Sequence, residues 1–266
     1  MRLFYILNLV VFFGITFLHS DIYSSYLTKL GLEHPAWGGS YLNPEFSRFI
    51  KRKEVKKILE IGSRDAVDAM ILSFVYKAEV AAFECNPEAI QRCRENLRKC
   101  KKKVNVTLVP KACWHETGRI PFYPVISDTY GGEFGGKINI GASSCFHVKP
   151  NTSQSRYRQS EIYVDAIALE DWLKESGFGV VDLICMDAQG AELEVLRGMG
   201  EALKSVKYII TEAEMEELFL GEALYPEIAT FLEQAGFIRV LPREIPSSGF
   251  CDVLFVNSKN PNYSSP

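Results

Sequence analysis

The sequence is poor in histidine and lacks the spacings that metal or nucleophilic chemistry uses. It has only 4 histidines in 266 residues, and no set of His, Cys, Asp and Glu has metal-ligand spacing, which argues against a metal centre. No Gly-x-Ser-x-Gly elbow and no catalytic-cysteine context occurs, so hydrolysis has no evident carrier. Glycine is short where a dinucleotide would need it: the loop after Lys57-Ile-Leu-Glu-Ile61 holds Gly62 alone, not G-x-G-x-x-G, which disfavours a nicotinamide-dependent oxidoreductase. An excess of one charge is lacking too. The formal net charge of -3 is too small to imply a nucleic-acid partner, and the basic cluster Arg92, Arg94, Arg98, Lys99 and Lys101 to Lys103 reads as a solvated helix end.

What stands out first is the N-terminus. Arg2 precedes an apolar run from Leu3 to Leu18, interrupted by Asn8, Gly14 and Thr16, which has the character of a targeting segment. It is shorter than the roughly 20 residues that span a bilayer comfortably, so a cleavable signal peptide and a short signal anchor both remain open. Membrane association through residues 3–18, or secretion, is the expectation, with a cytoplasmic catalytic domain not excluded. The 7 cysteines are an odd number and sit badly for bridges: Cys185 in a buried strand, Cys85 after another, Cys93 and Cys100 within one helix. Free buried thiols are expected.

Residues 21–52 form an irregular lead-in with short helical stretches around Tyr26 to Leu30 and Pro44 to Lys51. From there apolar runs alternate with amphipathic ones. Strands are predicted at Lys57 to Ile61, Glu79 to Glu84 and Val104 to Val109, with helices at Ala66 to Tyr76 and Pro87 to Lys99. A glycine-rich insertion over 117–160 follows, in which Ile120 to Tyr123 and Lys137 to Ile140 suggest hairpin-like strands over the sheet edge. The rhythm resumes with strands at Ile162 to Ile167, Val180 to Met186 and Val206 to Thr211, and helices at Leu169 to Ser176, Ala191 to Lys204 and Pro226 to Ala235. The closing runs, Gly236 to Leu241 and Cys251 to Asn257, have no helix between them. The pattern predicts an α/β fold whose mostly parallel sheet carries helices on both faces and an antiparallel element at its edge.

Two foci carry chemistry. Glu60 and Glu84 end successive strands, and an acid closing the second strand of such a unit holds ribose hydroxyls. Its alternative role is to cap the next helix. Gly62 and Ser63 let a ligand approach the backbone, and a loop with one glycine suits a cationic ligand with a sugar better than a phosphate. The second focus is Cys185-Met-Asp-Ala-Gln-Gly-Ala-Glu192, where Asp187 emerges from the most apolar strand, poised for a cationic centre or a substrate hydroxyl. A general base would help to deprotonate a hydroxyl; His115 and His147 are the histidines near this site by topology.

Glu60-Ile-Gly-Ser-Arg-Asp65, Phe83-Glu-Cys-Asn-Pro87, Val164 to Asp171, Met186-Asp-Ala-Gln-Gly-Ala-Glu-Leu-Glu-Val-Leu-Arg-Gly198 and Glu233-Gln-Ala-Gly-Phe237 together resemble the FkbM family of S-adenosylmethionine-dependent methyltransferases. The resemblance implies a Rossmann-like class I methyltransferase fold with a seven-stranded mixed sheet over 53–258, and residues 259–266 beyond it are expected to be a disordered tail. It implies S-adenosylmethionine as cofactor and a hydroxyl on a sugar, glycan or small molecule as acceptor. By the same resemblance Glu60, Gly62 and Ser63 line the cofactor's methionine end, Arg64 and Asp65 also belong to the cofactor-binding set, Glu84 holds the ribose, and Cys85 and Ala112 lie nearer the adenine. Asp187 sits beside the transferred methyl, and Glu212, ending the next strand, faces the acceptor. The family usually has Asn at Arg64, a second glycine at Ala66, Lys at Cys185 and Glu at Gln189, so a catalytically silent binding module of the same fold stays open.

Overall fold

The structure is a computed structural model that describes residues 22–32, 40–100, 103–129 and 138–260. The targeting-type run, Trp37, Gly131, Gly132, Gly135, Gly136 and the last six residues lie outside the described part.

The lead-in begins as helix α1 over residues 22–30, which buries Tyr23, Leu27 and Leu30. Beyond it, Pro44 to Lys51 forms no α-helix. One turn of 3-10 helix, Ser40–Leu42, precedes it and another, Phe46–Arg48, lies within it, and Tyr41 and Phe46 are inserted into the core. The alternating region then follows: β1 (Lys57–Ile61), α2 (Val67–Tyr76), β2 (Glu79–Phe83), α3 (Pro87–Cys100) and β3 (Asn105–Val109). After β4 (Ala112–Cys113), the insertion contributes β5 (Gly118–Phe122), β6 (Val125–Asp128) and β7 (Tyr157–Gln159). The chain continues through β8 (Ile162–Ile167), α4 (Leu169–Ser176), β9 (Leu183–Met186), α5 (Glu192–Gly198), β10 (Tyr208–Glu214), α6 (Tyr225–Gln234), β11 (Phe237–Leu241) and β12 (Phe250–Asn257).

Seven of these strands form one sheet in the order β11-β12-β10-β9-β1-β2-β3. The pairs among β10, β9, β1, β2 and β3 are parallel, and β12 runs antiparallel to both of its neighbours. The closing hairpin therefore forms as expected, but its antiparallel member lies one place in from the edge. Sheet direction reverses its order of addition between β9 and β1, which is the switch point where ligands of open α/β sheets bind.

Helices cover both faces. Ile58, Val80, Leu183 and Ile210 pack with Leu27, Met70, Leu72 and Cys93 of α1, α2 and α3 on one side. Leu59, Ile184, Ile209 and Phe255 pack with Leu169, Leu196, Ile228 and Leu232 of α4, α5 and α6 on the other. Two-sided burial of this kind is what makes a central parallel strand read as continuously apolar.

Five local expectations change. Ile162 to Ile167 leaves the main sheet and pairs with β4 and β5 in a separate three-stranded one; it is not buried on both faces as a central strand would be, since Val164 is in the core while Tyr163 is 58% exposed. Ile120 to Phe122 is indeed a strand, yet its partner is β8, and Ile138 to Ile140 forms none; Lys137 lies outside the described residues. β9 starts at Leu183 because Asp182 turns its carboxylate to the N–H groups of Lys56 and Lys57, at 2.7 and 3.0 Å. The helix expected over 191–204 breaks after Gly198, with Gly200 at φ +50° leading into a 3-10 turn, Gly200–Ser205. Finally, β10 runs on to Glu214, so Glu212 lies within the strand rather than at its end.

All 7 cysteines are free thiols. Among the described residues no helix is long and apolar enough to cross a membrane, and no acid, histidine or cysteine group is arranged to hold a metal ion.

Candidate active site

A cleft of about 440 Å³ opens over the carboxyl ends of β1, β2, β9 and β10. Its centre is a close approach of two strand ends. Gly62 has φ +84°, and a Cβ there would lie 1.8 Å from the backbone oxygen of Asp187. The Asp187 N–H donates to Ile61 O at 3.1 Å, so the first strand and the central strand are laced together at the cleft floor.

The first acid, Glu60, is buried and accepts a hydrogen bond from Ser63 Oγ. Burial holds its carboxyl well above the ordinary range, with the charges of Asp68 and Glu84 adding to the effect. Glu84, at the end of β2, receives Arg64 N–H on Oε2 at 2.7 Å and the N–H groups of Cys85 and Asn86 on Oε1 at 2.8 and 2.7 Å. It thus fastens the Gly62 loop to the chain entering α3 while still lining the cleft, and the cap of α3 is Asn86, whose Oδ1 accepts Glu88 N–H at 3.1 Å. Burial raises its pKa in spite of those three bonds. Cys85 and Ala112 also line the cleft, beside Cys113 and Phe122.

On the other side, Gln189 Nε2 donates to Asp187 Oδ1 at 2.6 Å and to Glu212 Oε2 at 3.2 Å. Burial and then the charge of Asp187 push Glu212 well above the ordinary carboxylate range. The amide of Gln189 therefore bridges two acids where a third carboxylate would repel both. The insertion closes the roof: Asn139 to Ser143 line the cleft, and Ser144 Oγ donates to Gln189 O at 2.6 Å.

Three expected site residues lie elsewhere. Asp65 does not line the cleft; its carboxylate caps α2 by accepting Val67 N–H at 3.0 Å and pairs with Arg64. His115 is half-exposed outside the cleft, with Nδ1 2.6 Å from Glu194 of α5, so it is not placed to serve as the base. His147 stacks on Tyr123, ring centroids 3.9 Å apart, and does not line the cleft either. Glu60, Gly62, Ser63, Arg64, Glu84, Cys85, Ala112, Asp187 and Glu212 are brought together.

Several lining residues had no sequence signal. Tyr41 reaches in from the lead-in, and its buried phenol is raised well above its ordinary range by desolvation, then by Asp187 and Glu60. Glu214, Phe250 and Asp252 arrive through the β10–β12 register, which pairs Glu214 with Phe250 and Glu212 with Asp252.

Glu214 in the cleft wall and Glu192 and Glu222 behind it each bury one carboxyl oxygen without a hydrogen-bond partner among the described residues. Burial and mutual repulsion raise Glu192 to about 8 and Glu214 to about 10. The folded state then binds protons that the unfolded chain has released. Stability conferred by neutrality is present below the ordinary carboxylate range and is lost as pH climbs toward these values. Glu214→Gln, which keeps the shape and removes the titration, should gain about 1–3 kcal/mol over the parent near pH 9 and little near pH 5. Thermal unfolding of both proteins at the two pH values checks this; equal shifts at both would contradict it.

The sequence model of the methyltransferase FkbM domain matches residues 60–239. The chain belongs to the FkbM methyltransferase family. It is a methyltransferase, and S-adenosylmethionine is its cofactor. Among relatives of this methyltransferase, the 2-O-methyltransferase NoeI of Sinorhizobium fredii is 32% identical over 207 residues, covering 76% of this chain and 79% of that protein. The hexuronic acid methyltransferase AglP of Haloferax volcanii is 27% identical over 155 residues, 58% of this chain and 54% of its own length. Among solved structures, the O-methyltransferase of Bacillus cereus in complex with S-adenosylhomocysteine aligns with a TM-score of 0.46 and 13% identity, over 91% of this chain and 89% of that one.

The donor set of the cleft fits this cofactor. The ionisable side chains lining it are the acids Glu60, Asp68, Glu84, Asp187, Glu212, Glu214 and Asp252 against the cations Arg64 and Lys111, with burial favouring the neutral form of Glu60, Glu212 and Glu214. A lining so rich in acids, which a cation would help to ionise, suits a sulfonium and an ammonium group better than a pyrophosphate.

Proposed function

We propose that this methyltransferase transfers the methyl group to a hydroxyl oxygen of a sugar, and that Asp187 and Glu212 serve the acceptor while the loop from Glu60 to Arg64, with Glu84, serves the cofactor. The observation that carries this reading is the meeting of three strand-end acids, Glu60, Glu84 and Asp187, in one cleft at the switch point of the sheet. Relatives named for 2-O-methylation and for a hexuronic acid support oxygen and sugar as the acceptor chemistry.

Glu84 Oε2 receives one backbone N–H, which leaves it free to accept from a ribose hydroxyl. Cys85, Ala112 and Phe122 offer apolar walls for an adenine ring, and Glu60 with Ser63 offers polar groups to the amino-acid end. Bound S-adenosylmethionine supplies an electrophilic methyl group on a positively charged sulfur. Asp187, held in place by Gln189, orients the acceptor hydroxyl beside that position and takes up its proton as the carbon–oxygen bond forms. Glu212 shares the same amide and adds a second acceptor for the hydroxyl. At residues 3–18 the apolar run supports a signal or anchor that would carry the 53–258 domain to a membrane or beyond it.

Incubating the protein with isotope-labelled S-adenosylmethionine and a panel of methyl pyranosides tests the reading: a methyl ether should form, and label appearing only on nitrogen or on no acceptor would overturn it. Glu84→Ala should weaken S-adenosylhomocysteine binding by about 30-fold or more, since it removes a buried charged acceptor. Calorimetry on the variant, with its unfolding followed in parallel, measures this separately from any loss of fold.

A further inference from the structure

The charge and the aromatic surface of the cleft are distributed unevenly. Both lining cations, Arg64 and Lys111, stand on the β1–β3 side. The β10–β12 side carries Glu212, Glu214 and Asp252, with Asp187 at the boundary, and no described lysine or arginine lines it. In an antiparallel pair, directly opposed residues project from the same face of the sheet. The pairs Glu214 with Phe250 and Glu212 with Asp252 therefore form two adjacent rows facing the cleft, the aromatic at its mouth and the acids further in.

Phe250 has no packing role to explain it. It is 60% exposed and belongs to none of the hydrophobic clusters, although both neighbouring strands feed them. A flat apolar ring presented at the rim of a polar cleft matches the apolar face of a pyranose. Deeper in, Glu214 is 2% exposed with Oε2 unpartnered, and Gln154, on the roof, has Oε1 unpartnered; each offers hydrogen-bonding capacity that the described residues leave unused. Ring hydroxyls supply the missing partners.

We infer that the β10–β12 side of the cleft is an acceptor subsite for a pyranose that carries no anionic group, with the ring stacked on Phe250 and its hydroxyls facing Glu214, Glu212 and Asp252. The inference rests on the sugar O-methylation reading and narrows it. A uronate carboxylate placed in this subsite lies beside Asp252 and Asp187 and meets no cation there, so its desolvation is not offset, and ionising Glu212 or Glu214 next to it only adds to the cost.

Ligand-observed NMR on the full chain, with and without S-adenosylhomocysteine, compares methyl glucoside, methyl glucosaminide and methyl glucuronide, which differ at single positions. The glucoside and the glucosaminide should bind, and the glucuronide should bind roughly tenfold more weakly or not at all at neutral pH. Phe250→Ala, an exposed position whose loss leaves the core intact, should weaken glucoside binding about tenfold while S-adenosylhomocysteine affinity holds. Equal binding of glucuronide and glucoside, unchanged glucoside binding by the variant, or no pyranoside binding at all would each overturn the subsite. Absence of S-adenosylhomocysteine binding instead removes the methyl-transfer reading and leaves the pyranoside comparison to stand or fall on its own.

Discussion

Asp187→Asn is expected to lower kcat for methyl transfer by about 100- to 1,000-fold with S-adenosylhomocysteine affinity changed by no more than about twofold. The substitution keeps the side-chain volume and leaves the backbone contacts of residue 187 with Ile61 and the Gly62 loop in place. What it removes is the negative oxygen that Gln189 holds at 2.6 Å. If that oxygen orients the acceptor and takes its proton, the loss falls on the chemical step. Single-turnover kinetics with labelled cofactor separates the step from binding, and a loss expressed wholly in cofactor affinity would reassign Asp187 to the cofactor. Raised pKa at the neighbouring Glu212 adds a separate expectation: that carboxyl becomes a charged acceptor only as pH rises, so kcat should climb toward alkaline pH and the climb should weaken in Glu212→Gln.

Gly62→Ala should be the most damaging single substitution for the fold, at about 3–5 kcal/mol of unfolding free energy. Two costs coincide. The residue has φ +84°, which disfavours any side chain, and the added carbon would lie 1.8 Å from Asp187 O, a backbone atom that no rotamer change can move. Relief requires β9 to part from β1 where Asp187 N–H meets Ile61 O, and that separation dismantles the cleft floor. Urea unfolding measures the loss. A variant as stable as the parent would show that the two strand ends are less tightly apposed than the geometry states.

The sequence disclosed the parts of the site that are local in the chain. Glu60, Gly62 and Glu84 sit at strand ends whose apolar runs are short and sharply bounded, and Asp187 follows the most thoroughly buried strand. Residues placed by long-range register were silent: Phe250 and Asp252 reach the cleft only because β12 enters between β10 and β11. Tyr41 lies before the segment that the family model matches, and nothing in the lead-in marks it as a cleft residue. His115 was suggested by its place after the third strand, yet α5 presents Glu194 to it and holds it outside.

Three of the departures from the family pattern gain a physical meaning. Arg64, Ala66 and Gln189 have φ of +50°, +60° and +50°. Asn and Gly are the residues that adopt this region most readily, so Arg64 and Ala66 cost backbone energy on the order of 1 kcal/mol each while leaving the cleft's donor set intact. Gln189 acts differently, because its amide is the bridge between Asp187 and Glu212. With neutral Cys185 buried in the neighbouring strand, the pair dispenses with two charges together.

The central claim is that the cleft joining Gly62 to Asp187 is a nucleoside site for a sulfonium cofactor. Calorimetric titration of the intact chain with S-adenosylhomocysteine, and in parallel with NAD, tests it most directly. One site per chain with a Kd of about micromolar or tighter for S-adenosylhomocysteine, and no heat with NAD, is the predicted result; no binding of S-adenosylhomocysteine, or tighter binding of NAD, would contradict the account.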